Sequence, residues 1–62
     1  MNVTYPTTTV YIVRTHASGV ISAHQFFTRD AALETASMMK LSGKFDRVTI
    51  VERVTHEMEY DV

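Results

Sequence analysis

Three punctuation points, Ser18-Gly19, Thr28 and Gly43, divide this chain into segments of different hydrophobic period, and their order constrains the fold more than any other feature. Ahead of Ser18-Gly19, the run from Thr9 to His16 is rich in β-branched and aromatic residues (Val10, Tyr11, Ile12, Val13, Thr15). Beyond the turn, Val20 to Phe27 continues as a second extended run. Thr28 then suits a helix N-cap, because its hydroxyl can accept from free first-turn amides, and Asp30 sits where the helix dipole favours a negative charge. Ala31 to Leu41 are mostly good helix formers. Gly43 supplies the left-handed residue that ends many helices, and Lys40 and Lys44 complement the carbonyl end. From Arg47 to Thr55, Val48, Ile50 and Val54 alternate with Thr49, Val51 and Arg53, which predicts a third strand. The order is therefore β-β-α-β. A right-handed crossover through the helix returns the third strand beside the first and antiparallel to it. The expected fold class is α+β: a three-stranded antiparallel sheet, order 2-1-3, with one helix on one face.

Length sets the next bound. At 62 residues the chain is one domain, 1–62, with 1–8 and 56–62 expected to be flexible ends and ordered pairing expected to begin after Pro6. A domain of this size buries only about 60% of its unfolded surface, so a thin core is usually supplemented by disulfides, a metal or a partner subunit. There is no cysteine, which removes the first option and fits a reducing cytoplasm. The longest apolar run, Val10–Val13, is far short of the ~20 residues of a membrane span, and no signal-peptide pattern precedes it, so no membrane role is expected. Asn2-Val3-Thr4 matches a glycosylation acceptor, a chance match without secretion.

The net charge of −1 is unevenly placed. Residues 1–51 carry Arg14, Arg29, Lys40, Lys44 and Arg47 against Asp30, Glu34 and Asp46, a net +2, whereas residues 52–62 carry Arg53 against Glu52, Glu57, Glu59 and Asp61, a net −3. A body so weakly basic, followed by an acidic tail, argues against nucleic acid as the partner.

Hairpin register decides which side chains share a face. The preferred turn is a three-residue loop over Ala17-Ser18-Gly19 with Gly19 left-handed in a bulge; a two-residue Ser18-Gly19 turn is the alternative. The longer loop puts Tyr11, Val13, Thr15, Ile21, Ala23 and Phe27 on the core face, with Phe27 stapled to Ala32. It leaves Val10, Ile12, Arg14, His16, Val20, Ser22, His24 and Phe26 on the other. In the helix, Ala32, Leu33, Ala36, Met39 and Gly43 form the buried stripe, while Met38 and Leu41 project away beside Glu34.

No nucleophile context, phosphate loop or deep pocket is legible, so the chain is read as a non-enzyme. His16 and His24 share a face in that register but at opposite ends of the hairpin, and His56-Glu57 with Glu59 and Asp61 is a mixed set on the tail; no metal and no cofactor are expected. Arg14 with Tyr11, His24 and Phe26 offers a sparse platform for single-stranded nucleic acid, a minor alternative.

Element order and the junction Phe26-Phe27-Thr28-Arg29-Asp30-Ala31-Ala32-Leu33-Glu34-Thr35-Ala36 resemble small early proteins of tailed bacteriophages, nearest the podoviral inhibitors of bacterial RNA polymerase. The resemblance spans about residues 9–55 and implies a β-β-α-β protein that binds a host or viral macromolecule in the bacterial cytosol. Matching on Val48-Thr49, Ile50 and Glu52 stand where that family has basic last-strand residues, so the target need not be polymerase. The expected function is a protein-binding domain acting as an accessory inhibitor or modulator, through the open sheet face (Arg14, His16, His24, Phe26) or the outer helix stripe (Glu34, Met38, Leu41). Phe26 and Met38 are the expected anchors. A homo-oligomer, formed through the open face or an edge strand, is the alternative.

Overall fold

The β-branched run folds as expected into the central strand. In the computed structural model, which describes residues 2–4 and 7–60, the elements are β1 (Asn2–Thr4), β2 (Thr8–Ala17), β3 (Val20–Phe26), α1 (Arg29–Ser42), β4 (Arg47–Thr55) and β5 (Met58–Tyr60). β2 is flanked by β3 and β4, both antiparallel to it, and α1 covers one face. This is the α+β architecture and strand order read from the sequence, with two short terminal strands added.

The helix ends behave as their chemistry dictates. Thr28 is extended (φ −123, ψ 145) and its Oγ1 accepts from the Ala31 amide at 3.3 Å. Gly43 is left-handed (φ 69) and its N–H donates to the Lys40 carbonyl at 3.3 Å. The Ser42 hydroxyl donates to the Met39 carbonyl at 2.6 Å and accepts from the Lys44 amide at 3.3 Å, closing the last turn.

The hairpin departs from the preferred expectation. Ser18 and Gly19 both have positive φ (51 and 80), and Ala17 pairs directly with Val20. Two central residues with φ > 0 make the tight turn whose twist matches the flanking strands. The loop is therefore the two-residue alternative, and one residue fewer in the loop turns every β3 side chain over. Antiparallel partners share a face, so Tyr11, Val13 and Thr15 lie with Phe26, His24 and Ser22, and on the β4 side with Glu52, Ile50 and Val48. The β2 half of the expected core face stands. The β3 half is corrected: Ile21 and Ala23 belong to the opposite face. Phe27 is also corrected, because the chain has left the sheet there and its side chain is 75% exposed.

The core is small. Val13 and Ala32 are fully buried where helix meets sheet, Thr15 lies beside them, and Ile12 is buried on the other face by its neighbours. Half-buried Ala36, Met39, Val48 and Ile50 complete the interface. Ala32 lets the helix backbone approach closely, as expected, whereas Leu33 is largely exposed at the margin. Among the described residues, no buried side-chain N or O lacks a hydrogen-bond partner.

Asp46 supplies a joint that the sequence does not advertise. Its amide donates to the His16 carbonyl at 2.7 Å and its Oδ2 accepts from the Ser18 amide at 3.1 Å. One residue thereby ties the start of β4 to the hairpin turn.

Pairing also occurs before Pro6, against expectation. β1 and β5 form an antiparallel ribbon in which Thr4 faces Met58, and among the described residues they pack against each other and no other element. Sheet pairing ends at Thr8 opposite Thr55. Thr7 Oγ1 and His56 Nδ1 share a hydrogen bond at 3.4 Å at this junction. The ribbon prolongs the β2–β4 pair and gives a slab of 53 × 24 × 10 Å. The radius of gyration is 16.0 Å, against about 11 Å for a compact domain of this length.

Candidate functional site: the open sheet face

Strand alternation places Val10, Ile12, Arg14 and His16 of β2 on the face away from the helix. β3 contributes Ile21, Ala23 and Gln25, and β4 contributes Arg47, Thr49, Val51 and Arg53. Across the β2–β4 ladder, His16 pairs with Arg47, Arg14 with Thr49, and Val10 with Arg53. Three arginines and a histidine thus stand on one face, and no carboxylate occupies a strand position there. Among the described residues, no carboxylate lies within 4.0 Å of any of these arginines. The nearest acidic group in sequence, Asp46, holds the turn amide instead.

At the hairpin end these side chains border a groove of about 610 Å³, lined by Arg14, His16, Ile21, Arg47, Thr49, Ile50 and Val51. The lining sets Arg14, His16 and Arg47 beside the apolar Ile21 and Val51, and Ile21 is 64% exposed. The clustered guanidiniums repel one another, so an anionic group in the groove would relieve that repulsion while its apolar neighbours shed water. A second groove of about 470 Å³, between the start of α1 and the sheet, is lined by Tyr11, Arg29, Leu33, Ile50 and Glu52. It carries charges of both signs and is a weaker candidate.

The expected binding residues divide between two surfaces. Arg14 and His16 are together on the open face. His24 and Phe26 are not: the short turn carries both to the helix side, where His24 is exposed on the edge strand and Phe26 is half-buried. Tyr11 is also on the helix side, so no Tyr or Phe of the sheet remains on the open face to stack a base. Glu34, Met38 and Leu41 are exposed on the outside of α1, as expected, with Leu41 at 88%. Arg47, Arg53, Thr49 and Ile21 join the open face without having been singled out. The alternation in β4 contains that signal: once Val48 and Ile50 face the helix, Arg47 and Arg53 must face away.

His16 and His24 occupy opposite faces rather than one, and His56 is at the ribbon junction. Among the described residues no three His, Asp or Glu side chains gather within reach of a metal ion, and no helix is long and apolar enough to cross a membrane. No family model, curated protein or solved structure matches this chain.

Proposed function

We propose that this chain is a non-enzymatic protein-binding domain whose open sheet face takes an acidic protein surface. The observation that carries this reading is a face left bare by the single helix, bearing Arg14, Arg47 and Arg53 with no carboxylate at its strand positions, the first two in a groove shared with Ile21 and Val51. Charge selects the partner and Ile21 and Val51 supply apolar contact. The lack of Tyr and Phe on this face favours protein over single-stranded nucleic acid, which needs stacking as well as charge. The narrower form is a phage-encoded accessory protein that occludes a host or viral macromolecule in the bacterial cytosol. It rests on the resemblance around Phe26–Ala36 and on element order. The outer helix stripe, with Met38 and Leu41 exposed, is a second contact surface on the opposite side.

Site-specific photocrosslinking tests the reading. A photoreactive residue at Thr49, in the groove, is expected to give protease-sensitive, nuclease-resistant adducts in a bacterial lysate. Adducts removed by nuclease, or no adduct at all, overturn it.

A further inference from the structure

We propose that the free edge of β3 pairs with β3 of a second copy of this chain, antiparallel about Ala23, so that two three-stranded sheets become one of six strands. This goes beyond the reading of the open face, which such a dimer leaves uncovered.

Hydrogen-bond parity defines the edge. The His16 carbonyl accepts from the Asp46 amide on the β4 side, so His16 and Ile21, its neighbour on β3, form a pair that exchanges no bonds. Alternation then turns the N–H and C=O groups of Val20, Ser22, His24 and Phe26 toward β2, and those of Ile21, Ala23 and Gln25 outward. Among the described residues no strand pairs with that outer row. β3 has seven residues, none charged and none proline, and six of them are exposed. The opposite edge, β4, carries Arg47, Glu52 and Arg53, the kind of charge that guards an edge against pairing. One bare edge and one guarded edge favour a closed pair over a growing chain of copies.

The strand complements itself when reversed. A two-fold axis through Ala23 sets Val20 opposite Phe26, Ile21 opposite Gln25 and Ser22 opposite His24 of the partner subunit. On the helix side Val20, 64% exposed in the single chain, gains an aromatic cross-strand neighbour. On the open side the axis falls on Ala23, the smallest side chain of the strand. The nearest like charges are the two Arg14 side chains. Arg14 pairs with Ala23 across β2 and β3, so the two stand three strand spacings apart, about 14 Å, beyond a Debye length of ~8 Å. The helix leaves room: Val20, Ser22 and His24 lie on its side of the sheet yet are exposed, so α1 stops short of this edge. With Ile12, Val13, Ala32 and Thr15 its only buried residues among those described, the chain also has the thin core that a partner subunit commonly supplements. Gln25 of the partner subunit then stands beside Ile21, at the border of the Arg14–Arg47 groove.

Because the chain has no cysteine, single introduced cysteines test the register directly. Only a residue on the axis meets its own copy. In the proposed dimer Ala23→Cys places two thiols on Cα atoms about 5.5 Å apart, within disulfide reach, whereas Gln25→Cys places them about 14 Å apart, beyond the ~7 Å limit. Under mild oxidation at micromolar concentration, Ala23→Cys should run as a dimer on a non-reducing gel and Gln25→Cys should remain largely monomeric. In sedimentation equilibrium the parent chain should show twice the 7.1 kDa mass of one chain. Ala23→Pro removes an outward N–H and no bond to β2, so it should keep the native circular dichroism spectrum while weakening association at least about tenfold through loss of both axial bonds. A monomeric parent chain, equal crosslinking from Gln25→Cys, or a folded Ala23→Pro that still dimerises each overturns the proposal. If Ala23→Pro unfolds, the cysteine pair decides alone. Crosslinking from Thr49 reports on the open face separately, so either reading can fail while the other stands.

Discussion

Val13 and Arg14 are neighbours on one strand and live in different worlds. Val13 points under the helix and is sealed; Arg14 points to the bare side and meets solvent among other cations. The two faces of one sheet therefore divide the labour. The covered face, small as it is, accounts for folding: Val13, Thr15 and Ala32 are buried at the helix contact. Among the described residues the open face contributes one buried residue, Ile12, and otherwise carries arginines, threonines, His16, Gln25 and aliphatics that are half-buried or exposed. In a sheet covered once, alternate residues of the central strand answer to different selection, one set to packing and the other to contact.

The sharpest way to break this contrast is to place the same substitution on both neighbours. Val13→Asp buries an unpaired charge, costs several kcal/mol and should abolish the native circular dichroism spectrum. Arg14→Asp should retain that spectrum. If both variants unfold, the faces are not distinct in the way described. A smaller effect separates the two sides of the helix. Ala32→Leu forces bulk into a fully closed contact and should lower unfolding free energy by about 1–3 kcal/mol in urea, whereas Leu41→Ala should stay within about 0.5 kcal/mol. The smallest effects concern the turn that assigns β3 to its face. Gly19→Ala places a Cβ at φ 80 and should cost about 1 kcal/mol. Ser18→Asn supplies the residue best suited to positive φ ahead of Gly and should gain roughly 0.5 kcal/mol. A neutral Gly19→Ala would contradict the two-residue turn.

Much of this molecule could be read from local chemistry. Thr28, Gly43 and the alternation from Arg47 located the helix and the last strand because caps and periodicity act over a few residues. The topology followed, since one helix between two strands leaves few routes. What escaped depends on a single residue of count or on distant partners. Ala17-Ser18-Gly19 suits a two-residue or a three-residue loop almost equally, and that choice moved His24, Phe26 and Ile21 to the wrong faces. Asp46 looks like ordinary loop polarity until the turn amide of Ser18 is beside it. The pairing of Asn2–Thr4 with Met58–Tyr60 joins the two ends of the chain, and neither end alone carries a strong strand pattern. The arginine face was half visible: Arg14 was noted, but Arg47 and Arg53 join it only when β4 is set in register with β2.

The 10 Å thickness of the slab has an electrostatic consequence. A plate so thin has two skins and almost no bulk, so an ion anywhere on it sits a few ångströms from high-dielectric water, where charge pairs are worth little. A low-dielectric environment around Arg14 and Arg47 can form only when another surface closes over them. The discrimination these residues exert is then created at the moment of contact and dissipates on separation.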